Sequence, residues 1–471
     1  NFFNKTLGLN IMINGKFLIA LITQFILIKY LEPAIFGKFV IILVLVDLVF
    51  SLTIVEQQGI LRYQNKKNII DTSHILCNYF SYFLFFVSLI TFSIISYLKN
   101  FPTEILYICI GVIFSRWIKY RLIVSESILE KKLHYYKIYK YYLINSLVSN
   151  GICLIFLFLN YGIYALLVRE IIESVILWFF IRNKKKIHKN NFNLTTAKFI
   201  VKFSLQGALI NLLNMFQFKL IFIFLGFNAN LVVLGFFERA TFILFSISNL
   251  FSQLADRIFV PLINNNKDIK SKNLILNIFF IYKLFIFLPI GLILYFFSDK
   301  IILFMFGEKW FFTGEIISIL SFWLVFNSLY QVFERWIFTH DTKKYSVLSS
   351  LISFIIILFA AFYIYSFDSK NWIIFAWALN FSSLLNLIIS IILSVKIKKT
   401  FLILKPIYFS ISCYLIGFFI FTFYSNLNLL FIITTYLIIY GFLIYFFFKN
   451  DLVYYGQHIK FNKKKKTINF I

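Results

Sequence analysis

Phe36-Gly37-Lys38-Phe39-Val40-Ile41-Ile42-Leu43-Val44-Leu45-Val46-Asp47-Leu48-Val49-Phe50 holds one carboxylate in a run that is apolar from Phe39 onward, and it lies within a longer apolar stretch, residues 36–56. About 20 apolar residues in a helix cross ~30 Å of hydrocarbon, so this stretch reads as a membrane span. Thirteen further stretches qualify: roughly 10–30, 75–98, 103–124, 138–159, 161–181, 199–225, 230–255, 273–297, 314–338, 345–366, 372–395, 402–424 and 427–449. Tripeptides such as Asn160-Tyr161-Gly162 leave room only for tight helical hairpins. Of the 471 residues, 61% are hydrophobic and 21% aromatic, and the mean hydropathy is +0.86. Soluble domains are about 45–50% apolar, so a water-solvated globule is excluded. The expected fold is an all-α polytopic membrane protein.

Charge sets the expected orientation. With the N-terminus inside, every second gap collects about 35 of the 46 Lys and Arg, and the alternate gaps hold only Lys29, Lys38, Lys99, Lys300, Lys309 and Lys370. Cytoplasmic loops retain positive charge, so both termini are expected on the cytoplasmic side. The net charge of +27 is spread over many short loops rather than one patch, which points to anionic lipid head groups and not to nucleic acid. The tail Lys463-Lys464-Lys465-Lys466 reads as a membrane-surface anchor. The basic gap at 182–198 is a natural seam. It predicts an N-lobe over 1–190 (helices 1–6), a C-lobe over 191–396 (helices 7–12), and a last piece, 397–471, with helices 13 and 14. An even number of spans per lobe makes the lobes parallel repeats about a pseudo-twofold along the membrane normal.

Five cations break the pattern. Lys16, Arg169, Lys219, Arg239 and Lys283 lie inside apolar stretches, where charge is costly and usually functional. Arg169 has Glu173 four residues on and Glu170 beside it, so a structural Arg169–Glu173 pair is expected. Arg239 adjoins Glu238, but adjacent helical residues face different ways, so that pairing is not forced. Lys283 is close enough to one membrane face to snorkel. Lys16 and Lys219 have no acidic partner within a turn of their own helices. They need a partner from another helix, water or an anionic ligand. Lys16, Ala20, Thr23 and Gln24 share one helical face, and Gly235, Arg239, Phe242, Ser246, Asn249, Gln253 and Asp256 share another. Gly207, Asn211 and Asn214 form a third polar face. Such stripes serve either helix–helix hydrogen bonding or a wet cavity. Asp47 either couples to H⁺ or Na⁺ in that cavity or neutralises Lys16.

Isolated cysteines (Cys77, Cys109, Cys153, Cys413) and scattered histidines offer no metal or disulfide framework. No G-x-x-x-x-G-K-[ST] loop occurs, and the gaps on the outer side are too short to house catalysis, which disfavours a membrane glycan polymerase or ligase.

Three stretches carry a family resemblance. The first is Leu31-Glu32-Pro33-Ala34-Ile35-Phe36-Gly37 followed by Glu56-Gln57-Gln58-Gly59-Ile60-Leu61-Arg62. The second runs from Leu234-Gly235-Phe236-Phe237-Glu238-Arg239-Ala240 to Phe259-Val260-Pro261-Leu262. The third is Phe306-Gly307-Glu308-Lys309-Trp310. Together they resemble the polysaccharide flippase branch of the multidrug/oligosaccharidyl-lipid/polysaccharide exporter superfamily. Glu32-Pro33 and Glu56-Gln57-Gln58-Gly59 depart from the usual Gly-Pro and Asp-Leu-Gly. The resemblance implies a non-enzymatic flippase that moves undecaprenyl-diphosphate-linked oligosaccharide across the bacterial inner membrane, for O-antigen, capsule or similar glycans. It implies no cofactor, a proton or Na⁺ gradient as the driving force, and a polysaccharide polymerase and chain-length regulator as partners. A lipid II flippase or a drug/cation antiporter of the same superfamily is the alternative. The expected substrate-facing residues are Lys16, Lys219, Arg239, Lys283, Asn211, Asn249 and Gln253, with Asp47 as the coupling site.

Overall fold

The computed structural model describes residues 2–52, 55, 67–99, 102–131, 135–182, 192–228, 230–265, 269–338, 343–367, 372–398, 404–423, 429–462 and 467–470. Among these residues there are fourteen α-helices, matching the fourteen apolar stretches one for one. They are α1 (Phe2–Tyr30), α2 (Pro33–Phe50), α3 (Lys67–Lys99), α4 (Thr103–Lys131), α5 (Tyr135–Phe158), α6 (Ile163–Ile181), α7 (Leu194–Asn228), α8 (Leu231–Asn265), α9 (Ile269–Phe306), α10 (Phe311–Phe338), α11 (Lys343–Ser366), α12 (Ile373–Lys398), α13 (Leu404–Phe423) and α14 (Leu429–His458). Strands β1 (Ile459–Asn462) and β2 (Thr467–Phe470) form an antiparallel pair, with Ile459 opposite Phe470. The Lys463–Lys466 run lies outside the described residues.

By length and composition, eight helices among the described residues are apolar enough to cross a membrane. α6 is not one of them because it carries Arg169, Glu170 and Glu173 within its 19 residues. α4 falls short for the same reason, since Arg116, Lys119 and Arg121 crowd its middle. Both are membrane-type helices, and Arg116, Lys119 and Arg169 find carboxylate partners. The fold is that of a polytopic membrane protein.

The chain divides into two compact units: residues 1–239 with 305–310, and residues 240–304 with 311–471. The first unit continues past the basic gap at 182–198, because α7 packs on α2 and α3. Its α5–α6 hairpin turns through two left-handed residues, Asn160 (φ 63°) and Gly162 (φ 53°). Helix α2 starts on Pro33, whose missing N–H costs nothing at a helix start. Asn230 caps α8 by accepting from Val232 N at 3.0 Å. These two helix starts cross without room for side chains. A Cβ on Gly37 would collide with the Leu231 carbonyl, and one on Gly235 with the Pro33 carbonyl. Trp310 is fully buried beside the crossing, edge-on to Phe36 (5.7 Å) and Phe236 (5.9 Å). Its indole N–H donates to the Ile28 carbonyl at 2.8 Å, and Phe306 stacks on Phe25 at 5.3 Å. Residues 31–37, 234–239 and 306–310 of the three motifs therefore meet at one point of the first unit, while Glu56-Gln57-Gln58-Gly59-Ile60-Leu61-Arg62 lies outside the described residues.

The second unit has an aromatic core in which Phe259, Trp336, Phe409, Tyr436 and Phe448 are buried. Pro289 lies inside α9 and cannot donate to the Phe285 carbonyl one turn back. Tyr440 of α14 supplies the missing donor, its hydroxyl reaching Phe285 O at 3.0 Å. Helices α10, α11 and α12 pack through polar and small residues: Asn380 Nδ2 donates to Ile319 O (2.8 Å) and Asn386 Nδ2 to Ser353 Oγ (2.7 Å). Without water in hydrocarbon, such contacts replace hydrophobic burial as the adhesive.

Candidate functional site

On α4, Arg116 and Lys119 stand three residues apart and share a helical face. On α6, Glu170 and Glu173 do the same. The two helices pack together, and Ser115 Oγ ties them by donating to Glu170 O at 2.9 Å. The two charged faces therefore interleave. Arg116 Nη1 donates to Glu170 Oε2 at 2.7 Å, while Lys119 Nζ reaches Glu170 Oε2 (3.2 Å) and Glu173 Oε2 (3.1 Å). Arg169 Nη2 lies 3.6 Å from Glu170 Oε1.

Asp47 extends the network to two more helices. It sits one turn from the end of α2 and accepts Arg116 Nε on Oδ1 at 2.7 Å and Lys219 Nζ of α7 on Oδ2 at 3.0 Å. Four cations thus face three carboxylates, leaving one positive charge in excess. All seven side chains are less than a third exposed. Charges taken from water are stable only when paired and hydrogen-bonded this fully.

Two expected pairings are corrected. Arg169 pairs with Glu170, not Glu173, because Glu173 turns to Lys119 across the α4–α6 contact. Asp47 neutralises Lys219 and Arg116 rather than Lys16, because α2 packs on α4 and α7. Lys16 itself makes no ion pair among the described residues. Its Nζ lies 4.4 Å from the Tyr142 ring centroid, and Tyr142 hydrogen-bonds Glu126. It is half-buried, within electrostatic reach of Glu173, Lys119 and Glu126.

Arg239 is 5% exposed and belongs to the motif crossing. It bonds Glu238 beside it and Gln24 of α1, with its guanidinium 4.2 Å from the Phe36 ring centroid. The adjacent Glu238 therefore does pair with Arg239. In the second unit, Lys283 does not snorkel: it is 1% exposed and donates to Gln331 Oε1 at 3.1 Å. Asn249 is on an exposed position of α8. The side chains of Asn211 and Gln253 lie outside the described residues.

Arg116, Lys119 and Glu170 are not among the expected site residues. The usable signal was their position: Arg116 and Lys119 fall inside the 103–124 stretch, and the i, i+3 spacing of each pair makes one charged face per helix.

The polysaccharide biosynthesis protein family matches residues 26–313, more than half of the chain and all three crossing motifs. The chain belongs to this family. A search of curated protein sequences finds no match. Among solved structures, this polysaccharide biosynthesis family member is similar to the lipid II flippase MurJ in an inward closed conformation, with a TM-score of 0.74 at 18% identity, covering 94% of this chain and 99% of that one. It is also similar to an inward-facing multidrug resistance MATE family transporter of the MOP superfamily (TM-score 0.58, 13% identity, 83% and 95% covered). A third is a MOP superfamily transporter from Pyrococcus furiosus described as having a binding pocket of reverse polarity (TM-score 0.55, 13% identity, 82% and 93% covered). These three neighbours are a flippase and two transporters.

Proposed function

We propose that this polysaccharide biosynthesis protein is a flippase that moves undecaprenyl-diphosphate-linked oligosaccharide across the bacterial inner membrane by alternating access, with both termini cytoplasmic. The observation that carries this reading is the surplus positive charge of the Asp47–Arg116–Glu170 network, together with half-buried Lys16 nearby. A desolvated Lys or Arg attracts phosphate strongly, and the arginine fork matches its geometry. Lys16, Arg116 and Lys219 bind the diphosphate; Asp47 holds the last two until the ligand competes for them. Protonation of Asp47 releases Lys219 and leaves Arg116 on Glu170 alone, which couples a proton gradient to substrate capture. Lys283, Arg239, Asn211, Asn249 and Gln253 have no role in diphosphate binding in this scheme. A drug/cation exporter is disfavoured, since lipophilic cations call for an acidic surplus. A polymerase and a chain-length regulator are the partners that would consume the translocated unit.

The test is surface glycan display with Lys16→Ala and Lys219→Ala at wild-type expression: both should abolish it. Intact display in each would refute the assignment. The lipid II alternative, suggested by the MurJ-like fold, predicts that depletion arrests growth; the present reading predicts glycan loss with growth intact.

A further inference from the structure

A separate cleft opens between α3 and α4, lined by Asn78, Tyr79, Tyr82, Arg121 and Phe192 with two aliphatic residues, and spanning about 1230 Å³ with its mouth included. Among the described residues that line it, Arg121 is the one charge. The guanidinium lies 4.9 Å from the Trp117 ring centroid and 5.6 Å from that of Tyr82, and its Nε donates to Asn78 Oδ1 at 3.1 Å. Five residues earlier on the same helix, Arg116 has two carboxylates. Arg121 has none among the described residues, and its Nη1 and Nη2 have no protein acceptor there. Asn78 Nδ2 is likewise uncommitted. The cleft offers spare donors and no carboxylate, which is the chemistry of an anion site, and the fork suits a phosphate. Phe192 precedes the Asn193 cap of α7, whose Oδ1 accepts Thr195 N at 2.9 Å, so the positive end of a 35-residue helix lies at the rim.

Two features identify the phosphate's carrier. The apolar span of α3, Ile69–Leu98, has 30 residues. That is ~45 Å of helix at ~1.5 Å per residue, about 15 Å more than the hydrocarbon it crosses. Asn78 stands nine residues from the Ile69 end, ~14 Å along the axis, within the length by which that end can overhang the hydrocarbon. From the cleft, Tyr79, Phe83, Phe86, Ile90 and Ile94 run up one face of α3, each more than half exposed. This row makes an exposed apolar track leading away from Arg121.

We propose that the cleft binds an anionic glycerophospholipid, with its phosphate on Arg121 and Asn78 and an acyl chain along α3. The test is native mass spectrometry of the purified full chain titrated with phosphatidylglycerol. Wild type should retain one such lipid about tenfold or more better than Arg121→Gln, the effect of losing one charge-assisted hydrogen bond. It should also prefer it to zwitterionic phosphatidylcholine. Arg121→Lys keeps the charge without the fork, so it safeguards against misfolding and should bind at an intermediate level. Equal retention by wild type and both variants overturns the proposal. So does an equal rise in thermal stability with inorganic phosphate alone, or tighter Arg121-dependent binding of a polyprenyl phosphate than of phosphatidylglycerol. None of these readouts depends on transport, so they are independent of the glycan-display test.

Discussion

Replacing Asp47 by Asn leaves Lys219 without an ionic partner among the described residues, because Asp47 Oδ2 at 3.0 Å is its one carboxylate. Arg116 keeps Glu170 at 2.7 Å. Each charge-assisted hydrogen bond contributes about 1.5–3 kcal/mol, and the two cations are 18–20% exposed, which favours the low end. Asp47→Asn should therefore cost about 3–4 kcal/mol, part of it the cost of a stranded ammonium. Lys219→Met removes one of the two bonds and strands nothing, so about 1.5–2 kcal/mol is expected. In the double variant the stranded charge is absent, and the two losses should fall short of their sum by about 1–2 kcal/mol. Equilibrium unfolding of the four proteins in mixed micelles measures this coupling. Additivity within ~0.5 kcal/mol would mean that Asp47 and Lys219 do not interact, and the proposed charge exchange with a diphosphate would lose its basis.

Gly37→Ala and Gly235→Ala should each destabilise by about 3 kcal/mol or more, since a Cβ at either site meets backbone that cannot swing aside; unchanged melting of either variant would contradict the crossing. Trp310→Phe keeps the ring packing but orphans the Ile28 carbonyl, so a loss of about 1–3 kcal/mol is expected in the same unfolding assay. Tyr440→Phe should cost about 0.6–1.7 kcal/mol by leaving Phe285 O without its donor. Pro289→Ala in that background restores a backbone donor and should recover most of it; no recovery would show that the tyrosine hydroxyl acts otherwise.

Helix number and type were legible from composition and span length, because a segment in hydrocarbon must satisfy its own backbone and so declares itself by about 20 apolar residues. The family was legible too, since Pro33, Gly37, Gly235 and Trp310 stand in short motifs that few other residue types could fill. What those motifs do together was not legible. Gly37 meets Leu231 and Trp310 meets Ile28 across hundreds of residues, and no local pattern encodes that distance.

The same division holds for the charges. Sequence by itself marked Asp47, Arg169 and Lys219 as embedded ions in need of partners, because an unpaired charge in an apolar segment is expensive wherever the segment packs. Only the tertiary structure decided which partners. Arg169 and Glu173 have helical spacing for each other, yet α4 supplies Lys119 to Glu173 and leaves Glu170 to Arg169. Lys219 has no acid near it in sequence, yet α7 packs on α2 and sets it on Asp47. Ion-pair energy depends on a few ångströms of separation in a low dielectric, and helix packing sets that separation.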